Sequence, residues 1–416
     1  MVLIAVVGVV LLALLFDFTN GFHDAANSTS TVVATRAMKP RHAVYMAAFF
    51  NFVALFVVGT AVANTVAKTV DVDALGLQSG GVPMGLGVAF GALLGAIFWN
   101  YLTWAIGMPS SSSHALIGGL LGAGLSAGGT DVIQWSSIEK AALAIIISPL
   151  VAFAVAFLAM YLVALLQRLT HLSDDAKAFK WLQIVSAAAV SFGHGANDAQ
   201  KTMGVIAFAL VSGQYLDVDA GIPFWVEIAA YSMIAFGTMW GGWKIIETMG
   251  LRITKLNANS GVAANIGAVT SIFGATNLGV PISTTQAAAA SVMGGGAAAG
   301  SGLNGRKIGE MIVAWIFTLP AAAVVGFVCF KLTTFPDPWG WVASMTAIAA
   351  LLGWAWRLML HATDADDVAA MLPPEAEMHQ FHPAPHPDLH PYEGPAHVNH
   401  HDLEGRTDQP LPPETR

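Results

Sequence analysis

The chain has 416 residues, of which 55% are hydrophobic and 11% charged, with a formal net charge of −8. A soluble domain of this size needs more charge to wet its surface, so the composition excludes a soluble enzyme or nucleic-acid binder and indicates an all-α polytopic membrane protein. The negative balance is local: from His361 onward eleven acids face only Arg406 and Arg416, whereas the body before it holds sixteen Lys/Arg against fifteen Asp/Glu.

The first apolar block covers 2–35. No Lys or Arg precedes it and no cleavage site follows, so Val2 to Phe16 reads as part of a retained helix and not as a signal peptide. It is interrupted by the polar stretch Asn20-Gly21-Phe22-His23-Asp24-Ala25-Ala26-Asn27. Blocks at 42–66, 83–106, 110–127 and 138–167 complete a first set. A second set follows at 181–211, 224–249, 260–279, 282–300 and 307–332, and a block at 340–360 has no counterpart. The runs at 141–166 and 307–332 exceed the ~20 residues needed to cross the hydrocarbon core. Residues 1–167 and 181–335 therefore read as two transmembrane repeats, joined by a linker at 168–180 and followed by an additional helix at 336–360. Beyond 361 the chain is rich in Pro, His and acids, a composition expected to stay disordered. That tail carries seven of the thirteen histidines, His379, His382, His386 and His390 among them, and neutral imidazoles there could bind a metal. Cys329 is the single cysteine and can form no intrachain disulfide.

The repeats share chemistry as well as length. Gly21-Phe22-His23-Asp24 recurs about 170 residues later as Gly195-Ala196-Asn197-Asp198, with Asn27 matched by Lys201. Gly107-Met108-Pro109-Ser110-Ser111-Ser112-Ser113-His114 recurs as Gly279-Val280-Pro281-Ile282-Ser283-Thr284-Thr285-Gln286. An ionisable residue at membrane depth is expensive, and one that occurs twice in equivalent places points to function. Both Asp-bearing blocks are expected to be broken helices, and each Pro-Ser/Thr stretch should sit at the turn of a re-entrant hairpin.

Lys and Arg bias their loops to the cytoplasm. Placing Arg36, Lys39 and Arg41, the linker cluster Arg168, Lys177 and Lys180, the pair of clusters around 244–255 and 306–307, and Arg357 inside leaves only Lys68, Lys140 and Lys331 near the outer face. The N-terminus is then outside, the tail is cytoplasmic, and the hairpins enter from opposite sides. The two repeats are inverted, as alternating access by exchange of similar halves requires.

Asp24 and Asp198 need a cation, a proton or several donors, and Asn20, His23, Asn27, His194, Asn197 and Lys201 stand nearby in sequence. Proline ahead of a helix start leaves the next amides free and turns the positive dipole end toward them. Ser110, Ser111, Ser112, Ser283, Thr284 and Thr285 add hydroxyls, so two such helix starts meeting at the midplane would form an anion site. Lys201 brings a fixed positive charge where Asn27 offers a carbonyl oxygen. It either replaces a sodium ion permanently, leaving protons to couple, or simply neutralises Asp198.

At these four motifs, from about residue 16 to 335, the chain resembles the inorganic phosphate transporter (PiT) family. The resemblance implies an inverted-repeat bundle, often dimeric, in a plasma (inner) membrane, which carries phosphate with a cation and has no resident cofactor. His23-Asp24 with Asn27, and Gln200-Lys201 in the second half, look like the bacterial low-affinity, proton-coupled branch, which is associated with neutral divalent metal–phosphate complexes. The resemblance then places phosphate among the hydroxyls, Asn27 and Lys201, and the coupling ion at Asp24 and Asp198. Sodium coupling and transport of sulfate are the nearest alternatives. A passive channel is disfavoured by the paired buried carboxylates. A hydrolase using a Ser near His114 and Asp24 lacks its His in the second copy, at Gln286.

Overall fold

Apolar segments that must satisfy every backbone group without water become helices. The computed structural model describes residues 1–77, 81–171 and 177–372 and, among them, contains helices and two isolated β-bridges but no extended strand. Among the described residues six helices are long and apolar enough to cross a membrane, or seven with a bent pair counted as one.

Helices α1 (Val2–Asp24) and α2 (Ala26–Ala34) are separated by Ala25 alone, which keeps right-handed helical dihedrals, so the first motif barely interrupts its span. The second motif does not interrupt its span at all: α8 runs unbroken over Lys177–Ser212. The break expected there is absent because its glycine serves packing. A Cβ on Gly195 would collide with the Asn51 backbone, and one on Gly21 with the Ile234 carbonyl. The real breaks fall in the next block of each set. α3 (Pro40–Val53) continues through a 3₁₀ turn and resumes, bent by 87°, as α4 (Ala61–Ala67). α9 (Phe224–Trp240) ends at Gly241 and resumes as α10 (Trp243–Glu247), followed by a π turn to Arg252.

Two helical hairpins follow the same plan, α5 (Met84–Ala105) with α6 (Ser112–Gly128), and α11 (Ala258–Asn277) with α12 (Thr284–Ala298). The long helices α7 (Trp135–Thr170) and α13 (Gly305–Thr333) pack crosswise, α7 on α11 and α12, α13 on α5 and α6. The crossing continues where α1 lies on α9 and α3 on α8. Each half thus buries its hairpin against the last helix of the other half. α14 (Trp339–Met359) is added outside this pattern, against α13 and α5.

A backbone clasp closes each hairpin at its open end. Asp71 N bonds Val132 O (2.9 Å) and Gln134 N bonds Thr69 O (3.1 Å) around the first; Asn304 N bonds Ile253 O (2.9 Å) at the second. Val82, Leu86 and Phe90 of the first hairpin lie beside Ile4, Gly8 and Leu12 at the start of α1. In the second hairpin Asn265 accepts from Thr31 near the end of α2, and Ala258 and Val262 cluster with Phe179. The open ends therefore face opposite ends of the α1–α2 axis, with the tips between them.

The tail is ordered further than its composition suggested. Residues Ala365–Met371 form α15, which begins with a capping box of Asp364 and Asp367 and buries Val368 against α3 and α10. Arg41 pairs with Asp366 at 2.8 Å, and Arg36 donates to Leu372 O at 3.3 Å. Disorder from 361 is thus corrected for 361–372: three acids that read as solvated charge cap and anchor a helix turn. The tail histidines lie outside the described residues.

Candidate functional site

The hairpin turns are near copies. Ile106 and Leu278 end their helices at φ/ψ of −90/0° and −84/0°, and Gly107 and Gly279 both take φ +66°, a conformation that favours glycine. Ser111 and Ser283 then cap α6 and α12, their hydroxyl oxygens each accepting the amide three residues on, His114 N and Gln286 N, at 3.1 Å. Capping satisfies one of the four amides that a helix start leaves without an intrahelical partner; those of Ser112, Ser113, Thr284 and Thr285 precede it. The two tips touch directly, since Ser113 Oγ donates to Ile282 O at 2.7 Å.

Asp24 and Asp198 meet beneath these tips. Thr284 Oγ1 lies 3.3 Å from an oxygen of each, and Ser112 Oγ lies 3.3 Å from Asp24 Oδ2. His194 Nε2 stands between the carboxylates, 3.7 Å from Asp24 and 3.5 Å from Asp198. His23 Nδ1 is 2.6 Å from the other Asp24 oxygen, and Asn20 Nδ2 donates to Asp198 at 3.2 Å. Asn20 of the first half thus serves Asp198 of the second, while its counterpart His194 lies between the two carboxylates, slightly nearer Asp198. All these side chains are buried.

Lys201 completes the cluster. Its ammonium donates to Asp198 Oδ1 (2.6 Å), to Ile282 O (2.9 Å) and to Ser113 Oγ, so its three donors are used on the second motif and both tips. Asn27, its counterpart, donates to Thr284 Oγ1 (3.2 Å) and Thr285 Oγ1 (3.3 Å). Each motif therefore reaches the hairpin of the other half.

Not every residue named from sequence faces the carboxylates. Ser110 bonds Thr103 (2.8 Å) beside His23, and Asn197 donates to Thr276 (2.9 Å) and to Val280 O (3.4 Å), bracing the second turn from behind. Thr103 and Asn51, whose Oδ1 accepts from His194 Nδ1 (3.2 Å), support the two histidines and were not singled out in the sequence, because neither lies within a repeated motif. Asp24, His194 and Asp198 bring ligand atoms within 4.8 Å of one another. With Asn27 Oδ1 also without a partner among the described residues, this donor set fits a cation held between two carboxylates. Hydroxyls and helix starts on one side present donors suited to an anion, and the carboxylates on the other present acceptors suited to a cation.

A model of the phosphate transporter family matches residues 20–326, spanning all four motifs. The chain belongs to that family. A Rhizobium meliloti (strain 1021) protein described as a "probable low-affinity inorganic phosphate transporter" is 46% identical over 78% of this chain and 95% of its own length. A Bacillus subtilis (strain 168) protein with the same description is 41% identical over 79% of this chain and 97% of its own. The fold is shared with a solved "sodium-dependent phosphate transporter" at a TM-score of 0.68 and 23% identity, covering 79% of this chain and 98% of that one. Membership in the phosphate transporter family places the chain among multi-pass membrane transporters and not among enzymes.

Proposed function

We propose that this protein imports inorganic phosphate by proton symport through alternating access. The observation that carries the reading is the convergence of two hydroxyl-bearing helix starts on two buried carboxylates, with Lys201 linking Asp198 to both tips. Phosphate sits against the amides and hydroxyls of Ser112, Ser113, Thr284 and Thr285, beside Asn27 and Lys201. An anion this close to Asp24 and Asp198 is repelled unless positive charge arrives with it. Phosphate and cation therefore raise one another's affinity, and that mutual dependence is the coupling. Lys201, paired with Asp198, supplies permanently what a second sodium ion would supply, which leaves the proton to balance Asp24. A divalent metal–phosphate complex fits the same arrangement, its metal held by Asp24, His194 and Asp198 and travelling as cargo.

Oppositely opening hairpins, crossed between halves, support an inverted repeat whose halves exchange roles to expose the site in turn. Docking of α15 on Arg36 and Arg41 supports a cytoplasmic tail beside the basic cluster, in the inner membrane with the N-terminus outside.

Sodium coupling is the second reading, favoured by the unpartnered amide oxygens of Asn20, Asn27 and Asn197. Uptake of labelled phosphate into proteoliposomes separates the two. Accumulation driven by an imposed proton gradient without sodium, and abolished by a protonophore, supports proton symport. Accumulation that requires sodium overturns it, and accumulation of sulfate but not phosphate overturns the substrate.

A further inference from the structure

Asp17 belongs to no repeated motif, yet it is 0% exposed and neither of its carboxylate oxygens has a hydrogen-bond partner among the described residues. It shares the α1 face that carries Asn20 and Asp24, three and seven residues on. Two polar side chains adjoin it, Thr202 of α8 and Asn20. Thr202 Oγ1 and Asn20 Oδ1 are likewise buried and without partners. Thr202 has a hydroxyl proton of its own and Lys201 acts on Asp17 from beyond contact, so what this buried carboxylate lacks is a directly bound positive group or donor, the place a cation or proton fills. One carboxylate suits a single charge, whereas a divalent ion is held in such sites by more oxygens and more negative charge.

The position also has connections on both sides. Asn20 Nδ2 donates to Asp198 Oδ2 at 3.2 Å, and Thr202 follows Lys201 directly, so one side chain separates Asp17 from the central carboxylates. On α9 the buried Tyr231, whose hydroxyl has no partner among the described residues, lies within electrostatic range of Asp17 and of Glu227, one turn earlier and half-buried. The ionisable groups presented by the helices packed around α1 are thus His194, Asp198 and Lys201 from α8, Glu227 and Tyr231 from α9, and Tyr101 from α5, with His23 and Asp24 on α1 itself.

We propose that Asp17, with Thr202 and Asn20, forms a second site for the monovalent coupling cation, proton or sodium, between Tyr231 and the central carboxylates. It rests on the reading that phosphate transport is cation-coupled, and it assigns a cation to a place outside the duplicated motifs. Loading Asp17 changes the charge felt at Asp198 through Asn20, so occupancy of this site and of the central one are linked.

The test compares Asp17→Asn with the unaltered protein in proteoliposomes. Two rates are read, equilibrium phosphate exchange without a gradient and accumulation under a proton or a sodium gradient. The expected result is a ratio of driven accumulation to exchange at least tenfold lower in Asp17→Asn, in whichever gradient drives the unaltered protein; that gradient identifies the cation. Thr202→Val, which keeps the shape and removes one oxygen, should raise the cation concentration for half-maximal uptake threefold or more. An unchanged ratio in Asp17→Asn with an unshifted cation dependence in Thr202→Val overturns the site while leaving cation coupling intact. Equal loss of both rates in Asp17→Asn with no shift in Thr202→Val also overturns it, making Asp17 a structural residue. If neither gradient drives the unaltered protein, the cation-coupled reading itself falls and this site falls with it.

Discussion

Replacing Lys201 by Met keeps the length of the side chain and removes its ammonium from a place where 1% of the residue is exposed. Asp198 then retains only Asn20 at 3.2 Å and Thr284 at 3.3 Å as donors, with His194 at 3.5 Å, and Ile282 O loses its cation. Removing one partner of a buried ion pair costs about 3–5 kcal/mol, which is roughly a hundredfold to several thousandfold in the population of the assembled site. Phosphate uptake into proteoliposomes, normalised to protein that elutes as a single species in detergent, should fall by at least a hundredfold in Lys201→Met. Lys201→Asn restores the residue type of Asn27 and offers an oxygen in place of the charge, so sodium should recover part of its activity and none of that of Lys201→Met. Sodium-free uptake by Lys201→Met within threefold of the unaltered protein would refute the reasoning, because the ammonium would then not be what balances Asp198.

Asn27→Ala removes two neutral hydrogen bonds to Thr284 and Thr285, at about 0.5–1.5 kcal/mol each, and should raise the KM for phosphate by a factor of roughly 5 to 150 in the same assay. Gly122→Val places its side chain against the Ala323 backbone where α6 crosses α13; overpacking of about 1–3 kcal/mol should lower the melting temperature in detergent, whereas Gly353→Ala, with nothing within 4 Å, should not. Deleting residues 373–416 should leave phosphate uptake unchanged, while Val368→Asp should release α15 and speed protease cleavage after Leu360 without abolishing uptake.

What the sequence disclosed was whatever it stated twice. Asp24 with Asp198, and the two Pro-Ser/Thr turns, stood out by duplication, and the structure brings these stretches together. The breaks after Phe56 and at Gly241 were concealed, because apolar residues on either side keep the composition of one continuous span. Gly195 misled in the opposite direction: glycine in a polar stretch reads as a hinge, but here it admits the Asn51 backbone against an unbroken helix. Crossed pairing was illegible for a more basic reason. Spacing along one chain reports which residues share a helix face, and says nothing about which of two similar hairpins that face meets. Asp17 escaped attention because its counterpart is Ser191, so a search for paired carboxylates passes over it.

Crossed pairing makes the two hairpins unequal. The tip of α6 is tied through Ser113 to the ammonium of Lys201, itself paired with Asp198, whereas the tip of α12 meets the neutral amide of Asn27 at 3.2 and 3.3 Å. Hydrogen bonds to a charged group contribute about 1.5–3 kcal/mol and neutral ones about 0.5–1.5. Although Lys201 also reaches Ile282 O, that bond ends on the loop ahead of α12; each helix start also has one hydroxyl proton, that of Ser112 or of Thr284, to give a carboxylate at 3.3 Å, so Lys201 against Asn27 is what distinguishes them. The start of α12 is therefore the weaker of two otherwise matched restraints, and it belongs to the hairpin that opens toward the end of α2. Hydrogen–deuterium exchange should be faster in the first turn of α12 than in that of α6, and Asn27→Ala should widen the difference. Slower exchange at α12 would show that charge at Lys201 does not set which hairpin yields first, and the asymmetry between the halves would have to lie elsewhere than at Asn27 and Lys201.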